Sequence, residues 1–343
     1  MGLFVGCSAL SYCPRDLLAQ SFSSSPETDG GAVDEEYRSP FRTWYERASV
    51  RHAPRRILEK QPDEFTYFFP PELVPIAQHS LVQALPPPIF EQVLIQHLYR
   101  YLDFTAKLEY LVVNRTILGI AHGSVRVDMP DEMRFDALKM YCDEAYHSLF
   151  SVDLARQVHE QTGIAARLPE RPYFLRRLEL TIENAGPDLR NLTELLFVIV
   201  SETLISATLA EIPSGHRVVP VVRDTIRDHA LDEGRHHAYF ATLLRRLWGQ
   251  LAPTTRHQAA LLTPSLIDAF LRPDIEEIRK ELHGYGLGRD DTEQVIGEVL
   301  SERVVQEHTA LTAQQTVRYF ESVGALEIPE VREEFYKYGL VTG

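Results

Sequence analysis

Two copies of Asp-Glu-x-x-His constrain this chain more than anything else in it: Asp143-Glu144-Ala145-Tyr146-His147 and Asp232-Glu233-Gly234-Arg235-His236. Residues three and four apart share one face of a helix. Each copy therefore presents a carboxylate and an imidazole one turn apart, pointing the same way. His229 stands four residues before Glu233 and falls on that face too, giving His229-x-x-x-Glu233-x-x-His236. Two imidazoles and a carboxylate on one face can hold a transition metal.

Both copies lie in long helical patterns. Pro130-Asp131 opens one that runs to Gln161, with Gly163 as its stop, and Pro220 opens another that runs to about Trp248. Two further long patterns flank them. Ile89 to about Gly123 carries Leu98, Tyr101, Leu102, Thr105, Leu108, Val112 and Thr116 at helical spacing, and Asp188 to Ile212 ends at Pro213. Three more patterns follow: Thr263–His283, Asp291–Val323 and Pro329–Tyr338. Strand and helix do not alternate, and there is no internal Gly-rich phosphate loop. The expected class is all-α: a four-helix bundle over residues 89–248 with additional helices over 263–338, the whole domain covering 41–343. Residues 41–85, with a basic helical piece at Trp44–Arg56, read as a lead-in packed on that domain. Residues 1–40, with Ser21-Phe22-Ser23-Ser24-Ser25-Pro26 and Asp29-Gly30-Gly31, read as a flexible arm.

Two carboxylates are out of place by composition. Between Glu194 and Glu211 every residue is uncharged except Glu202. A helix apolar all round is buried in a core, so Glu202 is expected inside. Glu109 lies on the apolar stripe of the first pattern and is expected to point inward as well. Buried carboxylates are costly unless paired or metal-bound. Taken together, one helix offers Glu109, one Glu144 and His147, one Glu202, and one Glu233 and His236. One Glu from each of two helices plus Glu-x-x-His from each of two others is the ligand set of a ferritin-like two-metal carboxylate bundle. Four carboxylates neutralise two divalent cations. The mix with imidazole suits iron, with manganese as the alternative.

Asp143 and Asp232 sit about 100° round the wheel from the glutamates beside them. They are expected to accept the far N–H of a metal-bound His on another helix. His229 is a surplus third imidazole, expected on one of the metals. His122, His159, His216 and His237 have no comparable partners and read as structural. Tyr146 is expected to face away from the metals.

Composition limits the partners. The net charge of −14 argues against nucleic acid and anionic membranes. The apolar run around Glu202 is too short for a membrane span. Three cysteines, Cys7, Cys13 and Cys142, make no disulfide framework, and the first residues lack a basic n-region and long apolar core. A reducing cytoplasm is the expected location.

Glu109, Glu144-x-x-His147, Glu202 and His229-x-x-x-Glu233-x-x-His236, in that order across roughly residues 41–320, resemble the ferritin-like di-iron N-oxygenases typified by p-aminobenzoate N-oxygenase (AurF). The resemblance implies two iron ions on these seven residues and O2 as co-substrate. It implies oxidation of a primary amine to the hydroxylamine and, in several members, on to nitroso and nitro. Arylamines are the default substrate; aliphatic amines and amino acids stay open. It also implies an external reductase or electron carrier, since nothing here binds a flavin or iron–sulfur cluster, and a homodimer, often in natural-product biosynthesis. A carboxylate-bearing substrate would want a cation near the metals, for which Arg303 and Arg318 are the candidates. Other readings of the residues are a different ferritin-like oxidase (a desaturase or hydroxylase) and a non-catalytic iron-binding protein.

Overall fold

A computed structural model of the chain describes residues 37–59, 66–210 and 217–342. The expected arm as far as Glu36 lies outside them, as do His216, Cys7 and Cys13. Among the described residues there are eleven helices of eight or more residues and no strand, only an isolated bridge between Tyr67 and Val218. The helices are α1 (Pro87–Leu108), α2 (Asn114–Ala121), α3 (Asp131–Thr162), α4 (Tyr173–Ala185), α5 (Arg190–Ala210) and α6 (Pro220–Gln250). They continue with α7 (Pro253–Leu271), α8 (Ile275–Gly284), α9 (Arg289–Val299), α10 (Glu302–Ser322) and α11 (Pro329–Lys337).

Local chemistry sets the ends of the long helices. Pro87 and Pro220 occupy first-turn positions where a missing N–H costs nothing. Asp131 and Glu132 put negative charge at the start of α3. Gly163 closes α3 in the left-handed region (φ 69°), its N–H returning to the His159 carbonyl. Between α1 and α2 the chain stays helical but widens into one π turn, Glu109–Val113. The inserted residue resets the buried stripe: Glu109, Val112 and Val113 are buried while Tyr110 and Leu111 are exposed. Such π turns recur at functional sites because they aim one side chain off the regular helical path.

The bundle is a ring of four. α3 packs on α1 and α2, α6 on α3, α5 on α6, and α5 returns to α2 and the π turn. The composition of α5 follows from its place. Besides its bundle neighbours it is covered by α4, α7 and α10, and Leu195 to Val200 are at most 5% exposed. Among the described residues no helix is long and apolar enough to cross a membrane.

Outside the bundle the structure departs from the expected pattern. The span expected to be loop before α5 contains α4, whose Phe174, Leu178 and Ile182 make a buried stripe. The helix expected from Thr263 starts at Pro253 and runs through Pro264 to Leu271. Pro264 lacks the N–H that would bond the Ala260 carbonyl, and the helix nevertheless continues through it. Asp291–Val323 is two helices, because buried Leu300 turns out of helical geometry (φ −135°) and Ser301 restarts the chain in extended conformation.

Candidate metal centre

The π turn, α3, α5 and α6 each send side chains to one buried point. Glu109, Glu144, His147, Glu202, His229, Glu233 and His236 are each at most 1% exposed. Their donor atoms form two groups that can each hold a metal ion: Glu109, His147 and His229 in one, and Glu144, Glu202, Glu233 and His236 in the other.

Two of the glutamates reach both groups. Glu144 Oε2 is 3.2 Å from His147 Nδ1, while its Oε1 is 2.8 Å from His236 Nδ1. Glu233 Oε1 lies 3.1 Å from His229 Nε2, 3.2 Å from His236 Nδ1 and 3.5 Å from His147 Nδ1. Glu109 and Glu202 are terminal. Glu109 Oε1 is 3.3 Å from His229 Nε2 and 3.8 Å from His147 Nδ1, and Glu202 Oε2 is 3.8 Å from His236 Nδ1. Such an arrangement can hold two ions, with Glu144 and Glu233 placed between them.

The donor set also fits ions by what it leaves unsatisfied. One oxygen of each glutamate, Glu109 Oε1, Glu144 Oε1, Glu202 Oε2 and Glu233 Oε2, is buried without a hydrogen bond. Four such oxygens in one dry cluster would be ruinous unless a cation neutralises them. Several sit close to imidazole nitrogens at angles that make no hydrogen bond, as lone pairs aimed at a shared point do.

Electrostatics divide the cluster. Burial pushes the Glu109 carboxyl up to about 7 against the pull of His229. Burial, with Glu144 and Glu233 nearby, holds Glu202 well above the carboxylate range. Burial acts most strongly on Glu233 and Glu144 too, but His236, together with His229 at Glu233 and His147 at Glu144, outweighs it, and both lie below their ordinary value. Burial disfavours charge on His147 and His236 as well; hydrogen bonds and charges from Asp232, Glu144, Glu233 and Asp143 overcome it and raise both. The bridging pair is thus the ionised pair, and divalent cations entering the cluster displace protons from the rest.

The two aspartates serve crosswise. His147 Nε2 is 3.0 Å from Asp232 Oδ2, and His236 Nε2 is 3.2 Å from Asp143 Oδ2. Each Asp-Glu-x-x-His copy therefore orients the imidazole of the other, with the near nitrogen, Nδ1, left facing the glutamates. Asp143→Asn and Asp232→Asn remove the charge that fixes this tautomer. Each is expected to weaken iron binding by roughly 10- to 100-fold with the helical content unchanged. Competition against a chelator of known affinity measures it, and unaltered affinity would show that the aspartates do not matter to the metal.

Several residues that finish the site carry no local signal along the chain. Ser148 donates to Glu109 Oε2 at 3.1 Å and fixes that carboxylate. Trp44 Nε1 donates to both oxygens of Asp143, at 2.8 and 2.9 Å, and the Ser49 N–H lies 3.2 Å from both oxygens of Asp232. Phe41 stacks on the His236 ring at 5.8 Å, and Arg235 bonds Asp232. Other residues singled out above lie elsewhere. Tyr146 donates to the Ala53 carbonyl, His122 and His159 are exposed at helix ends, and His237 pairs with the Tyr319 hydroxyl. Arg303 and Arg318 are exposed on α10, Arg303 in an ion pair with Glu307, so neither reaches the cluster.

Comparison with known proteins agrees with this geometry. A family profile described as P-aminobenzoate N-oxygenase AurF matches residues 46–324. The chain is 24% identical over 264 residues to the 4-aminobenzoate N-oxygenase of Streptomyces thioluteus, covering 76% of this chain and 78% of that protein. The family match takes in every helix that contributes to the cluster, and the chain accordingly belongs to the p-aminobenzoate N-oxygenase AurF family of di-iron N-oxygenases.

Proposed function

We propose that this chain N-oxygenates a small primary arylamine, with Glu109, Glu144, His147, Glu202, His229, Glu233 and His236 as ligands of two iron ions. The observation that carries the reading is the third imidazole: His229 Nε2 faces Glu109 and Glu233 beside His147, on a cluster that Glu109, Glu202 and the two Glu-x-x-His copies would complete without it. When bound, the iron pair supplies two-electron activation of O2. The balance is one amine, one O2, two electrons and two protons giving one hydroxylamine and one water; repetition leads on to nitroso and nitro. The electrons come from an external carrier.

The chain's own residues set the conditions. Glu144 and Glu233, each facing imidazoles of both groups, would hold the two ions side by side. Asp143 and Asp232 fix the His236 and His147 tautomers. The surrounding apolar side chains keep bulk water from the reacting centre.

A cavity of about 380 Å³ opens along the seam between α1 and α3. Leu102, Ala106 and Ser151 line it, Ala106 three residues before Glu109 and Ser151 four residues after His147. It therefore begins one helical turn from the cluster. Its lining is mostly apolar, with the buried Ser151 hydroxyl unpartnered and the Arg156 guanidinium at the rim. We read this as the amine site, with Arg156 in the carboxylate-binding role for which Arg303 and Arg318 are too far out.

The test is iron-loaded protein, a reductant, O2 and three amines: 4-aminobenzoate, aniline and an alkylamine. Hydroxylamine, nitroso or nitro products are expected from the arylamines. Arg156→Met is expected to raise KM for 4-aminobenzoate by roughly 10-fold and to leave aniline unchanged. Turnover of the alkylamine alone would overturn the arylamine assignment, and an equal KM shift for both arylamines would remove Arg156 from the site.

A further inference from the structure

The two imidazoles of the Glu-x-x-His copies are backed differently. Asp232, behind His147, is held by the Ser49 backbone and Arg235. Asp143, behind His236, is held by an indole, with the same Arg235 guanidinium 3.9 Å away. Two hydrogen bonds therefore join Trp44 to the cluster: Trp44 Nε1 to Asp143 Oδ2 at 2.9 Å, and Asp143 Oδ2 to His236 Nε2 at 3.2 Å. Trp44 is 7% exposed, and the ring of Tyr45, itself 49% exposed, meets it edge-on with centroids 5.1 Å apart. The seven cluster residues are sealed, so a protein that delivers electrons cannot touch them and needs such a route.

The surface at the outer end of that route has unusual charge. Residues 37–58 carry six arginines and a single acidic residue, Glu46, in a chain of net charge −14. Arg55 and Arg56 are neutralised by Asp153 and Asp228. Arg42 and Arg47 are exposed and form no ion pair among the described residues. The Arg51 guanidinium lies over both rings, 5.8 Å from Trp44 and 5.5 Å from Tyr45. Fixed positive charge over the indole makes an indole cation costly, so Trp44 serves as a bridge through which the electron tunnels and not as a site that is itself oxidised.

We propose that the Arg42–Arg47–Arg51 surface around Tyr45 is the docking site of an acidic one-electron carrier protein, and that Trp44–Asp143–His236 is the path of the electron. This rests on the two-iron reading above. Each transfer oxidises one reduced carrier by one electron and reduces one ferric ion to ferrous; two transfers reset the pair. No bond of the chain breaks, and the Trp44 and His236 N–H protons stay on their nitrogens.

The probes are a plant-type [2Fe–2S] ferredoxin, which is acidic, and the methyl viologen radical, which is small and cationic. Iron content is measured first; a protein that binds no iron would overturn both this proposal and the reading beneath it. Binding of oxidised ferredoxin to the iron-free protein is followed by calorimetry at low ionic strength. The double variant R42E/R47E is expected to weaken that binding by on the order of 10-fold or more and to flatten its salt dependence. It is expected to slow reduction of the ferric protein by ferredoxin to match, and to leave reduction by viologen unslowed. Trp44→Phe keeps a ring in place but removes the N–H. It is expected to lower the reduction rate at saturating ferredoxin with unchanged ferredoxin binding, compared in protein reloaded to the parent's iron content. Ferredoxin binding indifferent to the charge reversal would sink the docking site. A saturated rate indifferent to Trp44→Phe, in protein with full iron, would sink the path.

Discussion

Glu144→Ala and Glu233→Ala are each expected to release both irons, whereas Glu202→Ala is expected to release one. The difference follows from which donors each carboxylate faces. Glu144 presents Oε2 to His147 and Oε1 to His236, and these imidazoles belong to different groups of the cluster. Glu233 Oε1 is within 3.5 Å of all three imidazoles. Glu202 approaches only His236, at 3.8 Å. Removing a bridge takes one ligand from each ion and also the charge that screens one cation from the other. Two dications about 4 Å apart repel with on the order of 15 kcal/mol even at an effective dielectric of 20. Metal analysis of purified protein after reloading would give about two irons per chain for the parent, about one for Glu202→Ala and well below one for either bridge variant. Equal losses from Glu202→Ala and Glu144→Ala would mean that Glu144 does not bridge.

The bundle and the cluster were legible because both depend on spacing along single helices. A Glu-x-x-His inside a long stretch free of helix breakers leaves little choice about where its side chains point. Glu202 marked itself by composition as the one charged residue between Glu194 and Glu211, since nothing else in that run could pay for its burial. The features missed are of another kind. The π turn at Glu109–Val113 depends on how α1 packs against its neighbours, and the apolar spacing reads the same through it. The α4 stripe of Phe174, Leu178 and Ile182 is regular, but Arg176, Arg177, Glu179 and Glu183 interrupt it and gave the span the look of a loop. Pro264 looked like a boundary because a proline usually is one. Trp44 and Ser49 are far from the cluster in sequence, 99 and 183 residues from the aspartates they bond. Contacts of that kind have no local signature; the basic segment showed that it packs on the domain and not what it touches there.

His229→Ala is expected to leave a folded bundle that no longer N-oxygenates. His229 is 1% exposed, and its Nε2 faces two carboxylates, Glu233 at 3.1 Å and Glu109 at 3.3 Å, with its ring 4.4 Å from that of His147. A buried histidine that served only packing would give its nitrogen to a carbonyl or hydroxyl. His237, the next residue but one to Arg235, does so, pairing with the Tyr319 hydroxyl at 2.7 Å. That contrast supplies the control. Without His229 the group of Glu144, Glu202, Glu233 and His236 is complete, while the other keeps only Glu109 and His147 with the shared bridges. The variant should therefore retain at least one iron per chain and the parent's helical signal. Its N-oxygenation should fall on the order of 100-fold or more, because the ion that lost its nitrogen donor no longer has the same coordination. His237→Ala should retain full iron, since its ring is turned toward α10. Parent-level turnover and full iron in His229→Ala would make the third imidazole an ordinary core histidine and remove the main support for amine oxidation. Lost iron from both positions would instead place His229 among the residues that assemble the site, with the chemistry untested by it. Iron content and product yield measured on the same preparation separate these outcomes.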